Sequence, residues 1–174
     1  MDASGVQSLP FAALKSAGVR LCRATSSEAK RVADDLRGLD RAFAKSMKLN
    51  ATDAVLTAYS RAVEAWSVWD LKTEELLGIV GVGGEMHLGD SVVPMAWFVG
   101  TSALDAAVAR SPRNTLKAFR SVLKVLDARY GCVGNLMPNK SFFNRAARLL
   151  TACGAQWHRL DDVCVWLSNP GGIV

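Results

Sequence analysis

Residues 65–100, AWSVWDLKTEELLGIVGVGGEMHLGDSVVPMAWFVG, decide the fold. From Ala65 the apolar period becomes two: Trp66, Val68 and Leu71 alternate against Ser67 and Asp70, as on a half-buried strand. Leu76 to Val82 is a second apolar strand and Val92 to Gly100 a third, with turns at Lys72–Glu75 and Gly89-Asp90. The segment therefore predicts a three-strand antiparallel meander. Gly81, Gly83 and Gly84 weaken the end of the second strand and mark a bulge or a close backbone approach.

Upstream, Val19 to Arg23 alternates like a strand, and Thr25 with Glu28 three residues later forms a capping-box signature for a helix from Ser26 to Leu36. A second helix is expected after Thr52 as N-cap, with Val55, Leu56, Tyr59 and Val63 at helical spacing; Gly38 to Asn50 reads ambiguously. Downstream, Thr101 to Ser111 reads as a loop. Pro112 suits a first helical turn, because its missing N–H would be unsatisfied there anyway, and Gly131 ends that helix after Tyr130. Cys132 to Met137 forms a short strand, Ser141 to Cys153 a last helix stopped by Gly154, and residues 155–160 and 163–167 a hairpin through Asp161-Asp162. The inward positions predict a core containing Leu21, Ile79, Val99, Phe119, Leu123, Val133, Leu149 and Val165.

Composition narrows the class. The 174 residues are half apolar and a fifth charged, enough for one domain with a real core. The expected layout is an N-terminal arm over 1–17, a single α/β domain over 18–168 and a tail over 169–174. No apolar run approaches the ~18–20 residues of a membrane helix, and Met1 to Ser8 lacks the pattern of a secretory signal. Cys22, Cys132, Cys153 and Cys164 are scattered, without a C-x-x-C pair, and read as buried thiols; with only His87 and His158 beside them, no metal site is expected. Five tryptophans, at 66, 69, 97, 157 and 166, fall on strands, where core packing is their expected role.

The element order resembles that of the GNAT N-acetyltransferase superfamily: strand, two helices, three antiparallel strands, long helix, strand, helix, hairpin. V-R-L-C-R-A-T-S-S-E-A at Val19–Ala29 looks like the family's first strand and helix start, and Leu149-Leu150 with Gly154-Ala155 occupies the end of its last helix. The resemblance implies a mixed, mainly antiparallel central sheet flanked by helices. It also implies an acetyl-CoA site, with phosphates on the backbone of a glycine-rich turn opening the long helix. Here that turn is Arg110-Ser111-Pro112-Arg113-Asn114-Thr115, without glycine; Arg110, Arg113 and Asn114 are the candidate cofactor contacts. The family's acid-supplying tyrosine falls at Leu150, which has no proton to transfer. Glu85 and His87 are the candidate bases.

A narrower resemblance rests on W-F-V-G-T-S at Trp97–Ser102, the basic helix Lys117–Tyr130, V-G-N at Val133–Asn135 and C-G-A at Cys153–Ala155. Together these look like a small GNAT-related internal or ejected virion protein of short-tailed bacteriophages. That resemblance implies a non-catalytic interaction module without cofactor, made in the bacterial cytoplasm and carried in the virion. Its expected partners are tail, portal or internal core proteins and packaged DNA. Arg113, Lys117, Arg120 and Lys124 recur on one helical face, and this basic stripe is the expected contact surface. The rival expectation is an acetyl-CoA-dependent N-acyltransferase. A third is a protein that binds CoA without turnover.

Overall fold

A computed structural model describes residues 11–138, 144–160 and 163–169. In chain order the elements are α1 (Phe11–Ser16), β1 (Val19–Arg23), α2 (Ser26–Asp34), α3 (Gly38–Ser46), α4 (Ala51–Arg61), β2 (Glu64–Asp70), β3 (Leu76–Leu88), β4 (Ser91–Gly100), α5 (Ser102–Arg110), α6 (Pro112–Tyr130), β5 (Gly134–Pro138), α7 (Asn144–Ala152), β6 (Gln156–Leu160) and β7 (Val163–Leu167). The strands form one seven-stranded sheet in the order β1-β2-β3-β4-β5-β7-β6, antiparallel except where β4 meets β5. This is the mixed sheet that the element order implies.

The meander forms as its period predicts. Ser67 pairs with Ile79, and Val80 with Phe98. The register of β3 against β4 slips between Val82 and Glu85, where Gly84 takes a φ of +80°. Gly81 serves a different need: a Cβ there would lie 2.2 Å from Cζ2 of Trp97, so only glycine admits the indole across the strand pair.

Two apolar layers cover the sheet. On one side Leu21, Trp66, Val80 and Ala96 pack under α6 through Val122, Leu123 and Leu126, and Phe98 meets Phe119 edge-on with ring centroids 5.0 Å apart. On the other, Ala29 and Val32 of α2 and Val55 of α4 cover Ala65 and Ile79. Of the expected core, Leu21, Ile79, Leu123, Val133 and Val165 are buried, while Val99, Phe119 and Leu149 are half-buried. Trp66 and Trp166 are core residues, and Trp97 packs partly buried against the α2–α4 layer. The guanidinium groups of Arg20 and Arg31 lie 5.4 and 5.5 Å from the Trp69 ring centroid.

The capping box at Thr25 is present in full, with the Thr25 hydroxyl accepting from the Glu28 N–H and Glu28 accepting from the Thr25 N–H at 2.7 Å. Partial burial pushes the Glu28 carboxyl up. The hydrogen bonds from the Thr25 backbone and hydroxyl, with the nearby polar groups of Ser67 and Trp69, outweigh this and hold it below the usual carboxylate range.

Several boundaries differ from expectation. The helix from Ser26 stops at Asp34, and Leu36 instead bridges to Thr101. The ambiguous segment holds α3. Asn50, not Thr52, caps α4, its side chain accepting from the Asp53 N–H at 3.1 Å. The expected loop over 101–111 contains α5, which the apolar positions Leu104 and Ala107 hold against the core. The arm over 1–17 is not separate at its end, since Leu14 is 1% exposed and Ala17 5%. Cys22 is exposed on the edge strand β1, while Cys132, Cys153 and Cys164 are half-buried; burial pushes the Cys153 thiol up, and nearby Arg120 pulls it partly back. The Asp161-Asp162 turn and the tail beyond 169 lie outside the described residues, as do residues 141–143 of the expected last helix.

Candidate functional site

The parallel pair β4–β5 is joined at one register position, Met95 with Gly134. Beyond it β4 continues to Gly100 along β3, without a further partner on its other edge from β5. Parallel strands that pair once and then part leave a wedge between their C-terminal ends. At its vertex the Asn135 amide donates to the Ala96 carbonyl at 2.8 Å.

The edge of β4 facing this wedge is partly spoken for. Thr101 donates its N–H to Leu77 on the β3 side, so alternation turns the peptide groups of Phe98 and Gly100 toward the opening. Gly100 is capped there: its N–H donates to Asp40 Oδ2 at 2.7 Å and its carbonyl accepts from the Arg37 N–H at 2.9 Å. Arg37 in turn holds Asp40 through Nε and Nη2 at 2.8 and 3.2 Å, with both side chains 13% exposed. No register position joins Phe98 to β5 among the described residues, so its N–H and carbonyl face the wedge outside the β4–β5 ladder. One strand peptide thus presents a donor and an acceptor to the wedge.

The sequence candidates scatter around this opening. Arg110 and Asn114 line a cavity on the β1–β2 side of α6; Arg110 Nη2 is engaged by Asp70 at 2.8 Å, and Arg113 is exposed. The first turn of α6 has Pro112 at its start, no acidic residue and no side-chain cap from Ser111. The second strand does not end at Val82 but runs on to Leu88, and Glu85 and His87 are both exposed on it. Glu85 pairs with Pro94, one residue before Met95, and so stands beside the vertex, whereas His87 pairs with Val92 farther away. Leu150 is half-buried against the α6-side core, consistent with a packing role.

Two members of the basic stripe are engaged within the chain, although all four stay exposed. Lys117 Nζ donates to the Ser16 carbonyl at 3.0 Å, at the end of α1, and Arg120 donates from Nε and Nη2 to the Ala152 carbonyl at 2.9 and 2.6 Å, at the end of α7. Cations at helix C-termini satisfy orphan carbonyls and complement the dipole. These two side chains tie α1 and α7 to α6. Arg113 and Lys124 remain exposed without a described partner. Among the described residues no group of acidic, histidine and cysteine side chains is arranged to hold a metal.

Sequence reasoning missed Arg37 and Asp40. They lie at and beside the segment read as ambiguous, and the only local signal was an acidic residue three positions after an arginine.

The fold is similar to that of several solved structures. A chimera of Vibrio cholerae spermidine N-acetyltransferase SpeG and hSSAT matches with a TM-score of 0.60 at 10% identity, covering 89% of this chain and 97% of that one. The protein PH1933 from Pyrococcus horikoshii OT3 matches at 0.61 with 9% identity, covering 87% and 98%. A GNAT family acetyltransferase from Bacillus anthracis matches at 0.52 with 9% identity, covering 86% and 92%. No family model and no curated protein matches the sequence. The chain has the GNAT acetyltransferase fold. Identities this low carry the fold alone.

Proposed function

We propose that this protein is an acetyl-CoA-dependent N-acyltransferase. The observation that carries the reading is the parting of β4 from β5 beyond Met95–Gly134, inside the sheet, which leaves the Phe98 peptide outside the β4–β5 ladder. The amide-bearing arm of acyl-CoA matches that donor–acceptor pair. The uncapped first-turn N–H groups of Arg113 and Asn114, with the exposed Arg113 side chain, suit its phosphates. The fit is poorer at Gly100, whose edge is held by Arg37 and Asp40.

Acetyl-CoA supplies an activated thioester. The chain's part is to orient it along β4 and to receive the proton that an attacking amine loses. Glu85 is the group placed for that, beside the vertex and exposed to an incoming acceptor. Leu150 offers no proton to the leaving thiolate, which at neutral pH departs as the anion or takes a proton from water. The expected enzyme is accordingly slow.

A non-catalytic module, including a virion component, is the second reading, and Leu150 and the Asp40 contact favour it. It loses ground because Lys117 and Arg120 are engaged internally and because the named relatives include acetyltransferases. The test is release of free CoA thiol from acetyl-CoA with a panel of polyamines and peptides bearing free N-termini. Amine-dependent release that falls at least tenfold in Glu85→Gln supports the enzyme; acetyl-CoA binding with no release above buffer for any acceptor supports the non-catalytic reading.

A further inference from the structure

The structure holds a second candidate site, on the side of α6 away from the β4–β5 wedge. Between α6, α5, the α1–β1 turn and strands β1–β3 lies a cavity of about 370 Å³. No β5 residue lines it. Its walls are apolar: Val68, Leu77, Phe98, Leu104, Phe119 and Val122. Pockets that take small molecules begin at about 300 Å³ and are apolar, with a few placed polar groups.

Those polar groups sit together. Asp70, Lys72, Arg110 and Asn114 line the cavity beside the apolar wall. Arg110 spends Nη2 on Asp70, leaving its other donors, and Lys72 and Asn114 make no described side-chain hydrogen bond. Two cations against one carboxylate leave one positive charge in excess. α5 makes this arrangement: it supplies Leu104 and Ala107 to the wall and Arg110 to the polar end, so one short helix joins the apolar and charged parts.

We propose that this cavity binds a small amphipathic carboxylate, its tail against Phe98, Leu104 and Phe119 and its carboxylate at Arg110, Lys72 and Asn114. A body of on the order of ten non-hydrogen atoms suits the space. The cavity touches the acyl-transfer reading only at Phe98 and Asn114, whose backbone groups that reading uses, so octanoate binding and acetyl-CoA binding are measured separately.

The test uses the full chain with octanoate, octylammonium and octanol, which share a tail and differ in head charge. Calorimetric titration should give one-to-one octanoate binding with a Kd of roughly 10–100 µM, and binding at least tenfold weaker for octylammonium. Lys72→Ala, an exposed position, should weaken octanoate several-fold and leave octanol unchanged. Ala107→Leu, which fills the wall, should abolish both. The order among the three wild-type ligands does not depend on any variant folding. Absence of octanoate binding at 1 mM, or equal affinity for octanoate and octylammonium, overturns the proposal. Octanoate binding that survives in a folded Ala107→Leu protein places the ligand elsewhere and overturns it too.

Discussion

Arg120→Met should destabilise the protein by about 1–2 kcal/mol, although Arg120 lies on an exposed helical face. Its guanidinium donates from two nitrogens to one carbonyl, that of Ala152, the last residue of α7. A hydrogen bond to a charged group contributes about 1.5–3 kcal/mol when sheltered, and a cation at a helix C-terminus about 0.3–1 kcal/mol. Both donors share one acceptor and the side chain is solvated, so the contribution falls to about 1–2 kcal/mol, at or below the lower end of the combined range. Methionine keeps most of the apolar stem and removes the head. In urea the midpoint should fall by roughly 0.5–1 M at unchanged slope, for a slope of about 2 kcal/mol/M. Arg120→Glu should cost more, because it sets a negative charge at the negative pole of α7. Lys124→Met, on the same face without a described partner, should stay within ~0.5 kcal/mol. If Arg120→Met and Lys124→Met shift the midpoint equally little, Arg120 does not hold α7 and the stripe is again a solvated face.

Other perturbations have defined outcomes. Gly81→Ala should destabilise by about 2–4 kcal/mol, because its Cβ meets the Trp97 ring at 2.2 Å and the indole must leave its place; a Tm within a degree of wild type contradicts that packing. Asp40→Ala should cost ~2–3 kcal/mol by leaving the Gly100 N–H and Arg37 without their acceptor, and should raise acetyl-CoA affinity by opening the β4 edge; lower affinity in a folded variant counts against the wedge. Glu28→Gln should be less stable than wild type near neutral pH. Because the folded carboxyl lies below its ordinary value, that difference should be full above the ordinary range and shrink as pH falls through the folded value; urea midpoints at pH 7 and pH 3 check it.

The fold was legible where one periodicity dominated. The meander over 65–100, the capping box at Thr25 and the Pro112-to-Gly131 helix all appear because local pattern and tertiary burial agree there. α5 was missed because Ser102–Arg110 follows a strand and precedes a proline. Its helical pattern is short, with Leu104 and Ala107 buried only once the sheet is in place. The pattern ends the second strand at Val82 because the glycine run looks like a break, whereas the register slip lets the strand continue through Glu85 and His87 to Leu88. The basic stripe was correct as geometry and misleading as surface, since nothing local says that Ser16 and Ala152 will bring their carbonyls to Lys117 and Arg120. The wedge and its Arg37–Asp40 cap join residues sixty positions apart in sequence, beyond the reach of spacing arguments.

The most direct measurement is a calorimetric titration of the full-length chain with acetyl-CoA, because the account turns on whether the β4–β5 opening accepts the thioester arm. The expected result is a single site of one-to-one stoichiometry with a Kd of roughly 1–100 µM, weakened by raised salt as the Arg113 and α6 contacts to phosphate are screened. No heat and no thermal stabilisation at 1 mM acetyl-CoA would contradict the account, and would leave the parted strands as a feature of the fold without a ligand.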